Sequence, residues 1–420
     1  MIRLCLFDLD QTLVDTEDMQ VLREAGKHRS DAAYAGEVRT AFRSRQRNII
    51  DEALLISLQL AIQGLKIGIF TRSPRRYVDV VLSEAYALID WDVVIAYEDV
   101  EHYKPNGEGI HRAMNAVGLG NAGELPNILM VGDGDVDIRA AYHAGCRVAL
   151  FKKGWPRSYD KTHWRSLGLL PDLVLDDQEE LLARASNPFP GLPDLERLLD
   201  AGIQAPGQPR FDEIGKFFPN DRTRHVMHAA GRYFPFHDSL NYRRGWHRLS
   251  QSIQDNKEAL AFPPEWIETL RRFIAFHYRF LTTIPFGNGT ELIITAIPAR
   301  PERIHRLGHL IAQLQASYGA DPRLNRLRLT FDPNVLAYRQ GVQSQSHDHL
   351  THEQRFANVR DHLYVVNPTA AQGKKFLVID DVSTTGATLL YGKKYLSEAH
   401  ANSVDCFTLA QTISDPLRYQ

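Results

Sequence analysis

Short unbroken apolar runs alternate, over the first 180 residues, with stretches whose apolar positions recur every three or four residues. Leu4–Leu9, Ile67–Phe70, Val93–Ala96, Ile128–Val131 and Val148–Phe151 have strand length and no polar face, as strands covered on both sides do. Pro74–Ala87 and Gly107–Val117 carry the helical period between them. This alternation predicts a parallel sheet with helices on both faces, closing near Pro171–Leu175 and a short helix around Gln178–Ala185. Proline and glycine then crowd Asn187–Pro193 and Ala205–Pro209 on either side of a short helical segment, which predicts a linker over 186–210. From Phe211 to Phe280 the pattern reads as helical, giving a basic, aromatic segment over 211–285 that suits a hood domain. The alternation restarts with strands at Leu292–Ile297, Phe376–Asp380 and Val404–Leu409 and helices at Arg303–Tyr318 and Gly386–Ser397. The expected class is α/β, with two doubly wound parallel-sheet domains at 1–185 and 286–420.

Length agrees, because 420 residues at about 150 per domain make two or three units. A formal charge of −2 with 44% hydrophobic and 24% charged residues fits a soluble globular chain and excludes a globally basic nucleic-acid coat. Cys5, Cys146 and Cys406 are too scattered for a disulfide framework or a zinc ribbon. Asp8 interrupts the run a signal peptide would need, and Gln59, Gln63 and Lys66 break the most apolar stretch, Ala53–Phe70. No membrane partner is expected, and a cytoplasmic, reducing compartment is the default.

Leu6-Phe7-Asp8-Leu9-Asp10-Gln11-Thr12-Leu13 places two carboxylates two residues apart at a strand end, where i and i+2 point the same way. Asp8 is placed to attack phosphorus while Asp10 moves the proton. Thr71 ends Ile67–Phe70 and offers a hydroxyl, Lys104 offers a point charge, and Val131-Gly132-Asp133-Gly134-Asp135-Val136-Asp137 supplies hard oxygens for Mg²⁺. This set, in this order over residues 1–180, resembles the haloacid dehalogenase-like phosphohydrolases. The resemblance implies a Rossmann-like domain with Asp8 as nucleophile and Asp10 as general acid and base. It further implies Thr71, Arg72 and Lys104 on the phosphoryl group and Mg²⁺ held by Asp8, Asp10, Asp133 and Asp137. The proton donor at Asp10 favours phosphatase over dehalogenase chemistry. Only a small cap, about 15–61, separates the first two motifs, leaving an open site. Arg39, Arg43 and Arg47 recur at i, i+4, i+8 there, either facing an anionic ligand or lying on a solvated face with Glu37 and Asp51.

Lys375–Leu389 is the sharpest signal. An apolar strand ends in Asp380-Asp381, and Val382-Ser383-Thr384-Thr385-Gly386-Ala387-Thr388 opens a helix whose N–H groups can cradle phosphate. It looks like the phosphoribosyl pyrophosphate (PRPP) loop of type I phosphoribosyltransferases, and the surrounding order is similar to their competence-associated branch. The resemblance implies a second Rossmann-like domain, PRPP on Asp380, Asp381 and Ser383 to Thr388, and Mg²⁺ with Arg300, Arg339 and Arg355 on the departing pyrophosphate. Two features depart from that branch: its early zinc-binding cysteines are absent, and Arg306-Leu307-Gly308-His309 replaces its Arg-Gly-Phe-Asn segment. The acceptor is therefore not carried over.

His347-Asp348-His349 with His352 has metal-like spacing, but it lies where that family has a mobile loop, which favours a hydrated loop. Between Arg222 and Arg248, six arginines interleave with Tyr233, Phe234, Phe236, Tyr242 and Trp246, which suits either a nucleic-acid groove or a small aromatic core. Together these expectations describe a Mg²⁺-dependent bifunctional phosphatase and phosphoribosyltransferase acting on small phosphoribosyl and phosphomonoester substrates. Nucleic-acid end processing, a PRPP sensor and a homo-oligomer stay open.

Overall fold

The apolar runs of the first third become the central strands of one sheet in the computed structural model, which describes residues 1–156, 158–159, 168–205, 207–282, 291–343 and 350–418. These strands are β1 (Leu4–Phe7), β2 (Lys66–Phe70), β3 (Val93–Ile95), β4 (Ile128–Gly132), β5 (Arg147–Phe151) and β6 (Leu173–Leu175). They pair in the order β3-β2-β1-β4-β5-β6, all parallel. Every residue of β1, β4 and β5 is buried, which explains why these strands lack a polar face. Connections leave β1 and β4 toward opposite edges, and the carboxyl ends of those two strands flank the crevice where such sheets bind ligands.

Contacts divide the chain into two units, Met1–Leu192 with Phe234–His247 and Ser414–Gln420, and Pro193–Tyr233 with Arg248–Ile413. In the first unit, helices Gln20–Ala25, Ala32–Phe42 and Glu52–Ala61 lie between β1 and β2, over the stretch expected to form a small cap. Asp31 starts the middle one by accepting from the Tyr34 N–H at 2.8 Å. Arg39, Arg43 and Arg47 do not meet Glu37 or Asp51, the partners expected on a solvated face. Arg39 and Arg43 donate to Glu84 at 2.9 and 2.6 Å, while Arg47 lies past the helix end, buried on Asp18 and the Phe42 carbonyl. Glu37 is taken by Arg29 and Asp51 by Gln178.

The returning segment Phe234–His247 completes this unit. Helix Asp135–Ala144 ends at Gly145 (φ 87°), where a Cβ would stand 2.4 Å from that of Tyr242, so left-handed backbone and close approach both demand glycine. Trp246 donates to the Gly145 carbonyl at 2.7 Å, and the fully buried Arg243 guanidinium holds the Cys146 carbonyl and the Asp172 carboxylate.

The second unit adds β7 (Asp212–Lys216), β8 (His225–Ala229), β9 (Arg232–Tyr233), β10 (Leu292–Ala296), β11 (Leu329–Phe331), β12 (Leu336–Tyr338), β13 (Leu363–Val365), β14 (Lys375–Ser383) and β15 (Ser403–Thr412). Its main sheet runs β11-β10-β14-β15-β8-β7, with β9 also on β15 and β7 antiparallel to β8. β12 and β13 form a separate antiparallel pair. The helical expectation for 211–280 therefore holds only from Asn241 onward, because 212–233 carries the three short strands β7, β8 and β9. The alternating burial of Asp212–Lys216 and His225–Ala229 is a period of two, which the density of aromatic and basic residues obscured. Helix Pro264–His277 buries Trp266, Leu270, Phe273 and Ile274 in the core of this unit.

The Arg222–Arg248 stretch is not one basic surface. Arg232 is buried in the second unit on Glu196, and Arg243 is buried in the first on Asp172. Phe234 meets Tyr142 edge to face, as core aromatics do. Among the described residues no helix is long and apolar enough to cross a membrane.

Candidate active site

Because β1 and β4 are adjacent and parallel, their carboxyl ends deliver Asp8 and Asp133 to one place. The Asp8 N–H is tied to the Val131 carbonyl at 2.8 Å. Asp137 returns from the first turn of helix Asp135–Ala144, where Gly134 N–H donates to it at 3.1 Å. One oxygen each of Asp8, Asp133 and Asp137 falls within 4.8 Å of the others. The Lys104 ammonium, almost wholly buried, meets Asp8 at 2.8 Å and Asp137 at 2.7 Å.

Three converging carboxylates against one ammonium leave negative charge uncompensated. Burial, opposed by Lys104 and aided by Asp137, pushes Asp8 up to about 6, and burial with Asp137 and Asp8 pushes Asp133 well above the usual carboxylate range. Lys104 is raised although burial opposes its charge, because Asp137 and Asp8 favour it. Hard oxygens with surplus negative charge fit Mg²⁺, and a divalent cation there would relieve the repulsion.

Asp10, expected with the metal ligands, stands apart from that cluster. Thr16 and Ser73 hydroxyls each donate to it at 2.5 Å, the Tyr77 hydroxyl donates at 3.1 Å, and Arg23 approaches to 3.4 Å. Thr71 is buried beside it, its hydroxyl accepting from the Ser73 N–H at 3.1 Å, whereas Arg72 is exposed. Asp8, Asp10, Thr71, Arg72, Lys104 and Asp133 all line one cavity of about 450 Å³, with Arg23, Lys27, Tyr97 and Tyr103 on its wall. Ser73 had a sequence signal, two residues beyond Thr71. Thr16, Tyr77, Arg23 and Lys27 had none, since their positions come from cap and helix packing.

In the second unit β14 does not stop at the acids but stays paired with β15 through Ser383, because β15 itself continues to Thr412. Asp380 is buried, accepts from the Thr388 hydroxyl at 3.0 Å, and is raised to about 6 by burial, against the pull of Thr388 and Arg306. Asp381 is held by the Arg306 guanidinium. The Thr384 hydroxyl meets that of Thr412 at 3.0 Å, and the Thr384 carbonyl accepts from Lys216 at 2.8 Å. The Thr385 hydroxyl accepts from the Ala387 N–H at 3.3 Å, and Gly386 (φ 79°) turns the chain into helix Ala387–Glu398. Arg300 and Arg339 line a cavity of about 580 Å³ with His305 and Tyr338, while Arg355 donates to the Leu350 carbonyl and is not on that lining. Arg306 and Lys216 are the neighbours of the loop that sequence reasoning left unassigned. His347, Asp348 and His349 lie outside the described residues.

A family model described as haloacid dehalogenase-like hydrolase matches residues 20–151. Pyrophosphatase PpaX of Bacillus cereus is 33% identical over 127 residues, 30% of this chain and 53% of that protein. The chain thus spans about half the length of the curated relatives it matches. Two solved structures are similar to it. A predicted phosphoglycolate phosphatase from Haemophilus somnus is 20% identical, over 43% of this chain and 97% of its own, with a TM-score of 0.33. The HAD-hydrolase YfnB from Bacillus subtilis, bound to magnesium, is 14% identical over 44% and 99%, with a TM-score of 0.30. The N-terminal part of the chain is a haloacid dehalogenase-like hydrolase domain.

Proposed function

We propose that the N-terminal domain hydrolyses small phosphomonoesters through an aspartyl-phosphate. The carrying observation is the separation of two carboxylates by environment, Asp8 within the acid cluster on Lys104 and Asp10 under three hydroxyls. An Asp8 oxygen forms a bond to phosphorus as the ester P–O bond breaks, and Asp10 gives the leaving oxygen its proton. Water then attacks the same phosphorus, Asp10 takes the water proton, and Asp8 is freed. Lys104 and the Thr71 hydroxyl hold the phosphoryl oxygens. Mg²⁺ held by Asp8, Asp133 and Asp137 would supply charge neutralisation during transfer. Asp8→Asn removes the nucleophile, and loss of p-nitrophenyl phosphate hydrolysis by roughly 10³-fold or more is expected. Retention of most activity would overturn the reading. Inorganic pyrophosphate belongs in the same assay, because the curated relatives bear that activity in their name.

The second unit we read as a PRPP-binding, phosphoribosyltransferase-like module, which would make the chain bifunctional. Asp380 and Asp381 before a Thr-Thr-Gly turn and a helix N-terminus support this, as do Arg300 and Arg339 on one cavity. Asp380→Asn with Asp381→Asn should abolish Mg²⁺-dependent PRPP uptake by calorimetry. Pyrophosphate release with candidate bases separates a transferase from a sensor, and mass analysis of products from a metabolite extract identifies the acceptor.

A further inference from the structure

The floor of the first cavity is acidic, but its wall is not. Arg23, Lys27 and Arg72 line it against a single wall carboxylate, Glu24, which holds Lys27 at 2.6 Å. The Lys27 ammonium lies 5.4 Å from the Tyr97 ring centre, the Arg72 guanidinium 5.3 Å from that of Tyr103, and the two rings are 5.7 Å apart. The four side chains thus form a continuous wall of cation, ring, ring and cation. Stacking restrains both cations before any ligand arrives, which lowers the ordering cost of binding. Arg72 is exposed and, among the described residues, has no carboxylate at ion-pair distance.

The transferred phosphoryl group is already served by Lys104, Thr71 and the acid cluster that fits Mg²⁺. A second concentration of positive charge on the wall has no task in that transfer. We propose that this wall is a subsite for a second anionic group of the substrate, gripped by Arg72 with Lys27 and flanked by Tyr97 and Tyr103. The substrate class is then a small phosphomonoester with a carboxylate or a second phosphate away from the ester, of a size that a cavity of about 450 Å³ admits. This rests on the hydrolase reading above. It also moves Arg72 from the transferred phosphoryl group to the other end of the substrate.

The test compares kcat/KM of the full chain, with Mg²⁺, on four probes: 2-phosphoglycolate, ethylene glycol bisphosphate, 2-hydroxyethyl phosphate and p-nitrophenyl phosphate. The first two carry the second anion as carboxylate or phosphate, the third is their uncharged counterpart, and the fourth reports the chemistry alone. A preference of about 30-fold or more for one of the first two over 2-hydroxyethyl phosphate is expected, and the better one identifies the anion. Arg72→Ala and Lys27→Ala should each cut that ratio about tenfold, chiefly through KM, with Arg72→Lys restoring part of it. Because the readout is a ratio between substrates in one variant, a partly unfolded preparation does not mimic it. Hydrolysis of p-nitrophenyl phosphate without preference, or a ratio unchanged in both alanine variants, overturns the subsite alone. Failure to hydrolyse any of the four overturns the hydrolase reading and the subsite with it.

Discussion

Asp8 and Asp10 differ by two positions and share a side of the chain, yet only Asp10 is wrapped by hydroxyls. A donor so placed matters most when the leaving group is a poor one. Asp10→Asn should therefore lower kcat by roughly 10²–10⁴-fold on an alkyl phosphate, while the first-turnover burst of p-nitrophenol from p-nitrophenyl phosphate, which reports the first step alone, falls much less. In the other unit, Asp380 bears on stability. Its carboxyl is raised to about 6 by burial, so between the ordinary carboxylate range and pH 6 the folded chain binds more protons than the unfolded one. Stability contributed there is present at low pH and lost as pH rises through that window. Asp380→Asn should leave stability unchanged near pH 4 and raise it at pH 7.5 by an amount on the order of 2 kcal/mol, read by urea unfolding at both pH values. Asp8, Asp10 and Thr71 could be picked out in the sequence because each follows a recognisable strand end, and Lys104 because Tyr103-Lys104-Pro105 stands between the second and the last of these motifs. Arg23 and Arg306 could not be, because a helix surface looks alike from sequence whether it faces water or a cavity, and neither could Lys27, which sits in the turn after the helix that carries Arg23.

At the scale of elements, the strand ends of the first sheet were readable within a residue or two, since both-face burial writes an uninterrupted apolar run. The hairpin of β7 and β8 was not readable. Its half-buried positions carry Glu, Lys and His, a buried one carries Asp212, and its partner β15 lies about 180 residues downstream. Strand β4 also fixes the acid cluster through a glycine. A Cβ on Gly132 would lie 2.2 Å from the Asp137 Cγ, so Gly132→Ala must displace that carboxylate from Lys104. A misplacement of this kind should cost about 10²-fold in kcat, and Mg²⁺ titration of the rate should show weakened metal dependence.

For the whole molecule, the division into units follows contacts rather than sequence order, since Phe234–His247 belongs with the first 192 residues. Spacing could not announce this, because Arg243 reads as one more basic residue until its partner Asp172 is seen. Both are fully buried, and Arg243→Ala would take from the carboxylate its charge-assisted hydrogen bond, leaving Arg147 at 4.0 Å and the Val148 N–H at 2.8 Å. A loss of about 3–5 kcal/mol is expected, seen as an earlier thermal transition together with loss of phosphatase activity on heating. A fragment ending at Leu192 lacks the same partner and should unfold at lower temperature than the full chain.

That pairing also sets a schedule for synthesis. The arginine follows its carboxylate by 71 positions, a delay on the order of 4–14 seconds at roughly 5–20 residues per second. During that interval Asp172 keeps the Val148 N–H at 2.8 Å and Arg147 at 4.0 Å but lacks the guanidinium of Arg243, so a ribosome-bound chain halted before Arg243 should be cut by protease faster than the finished chain.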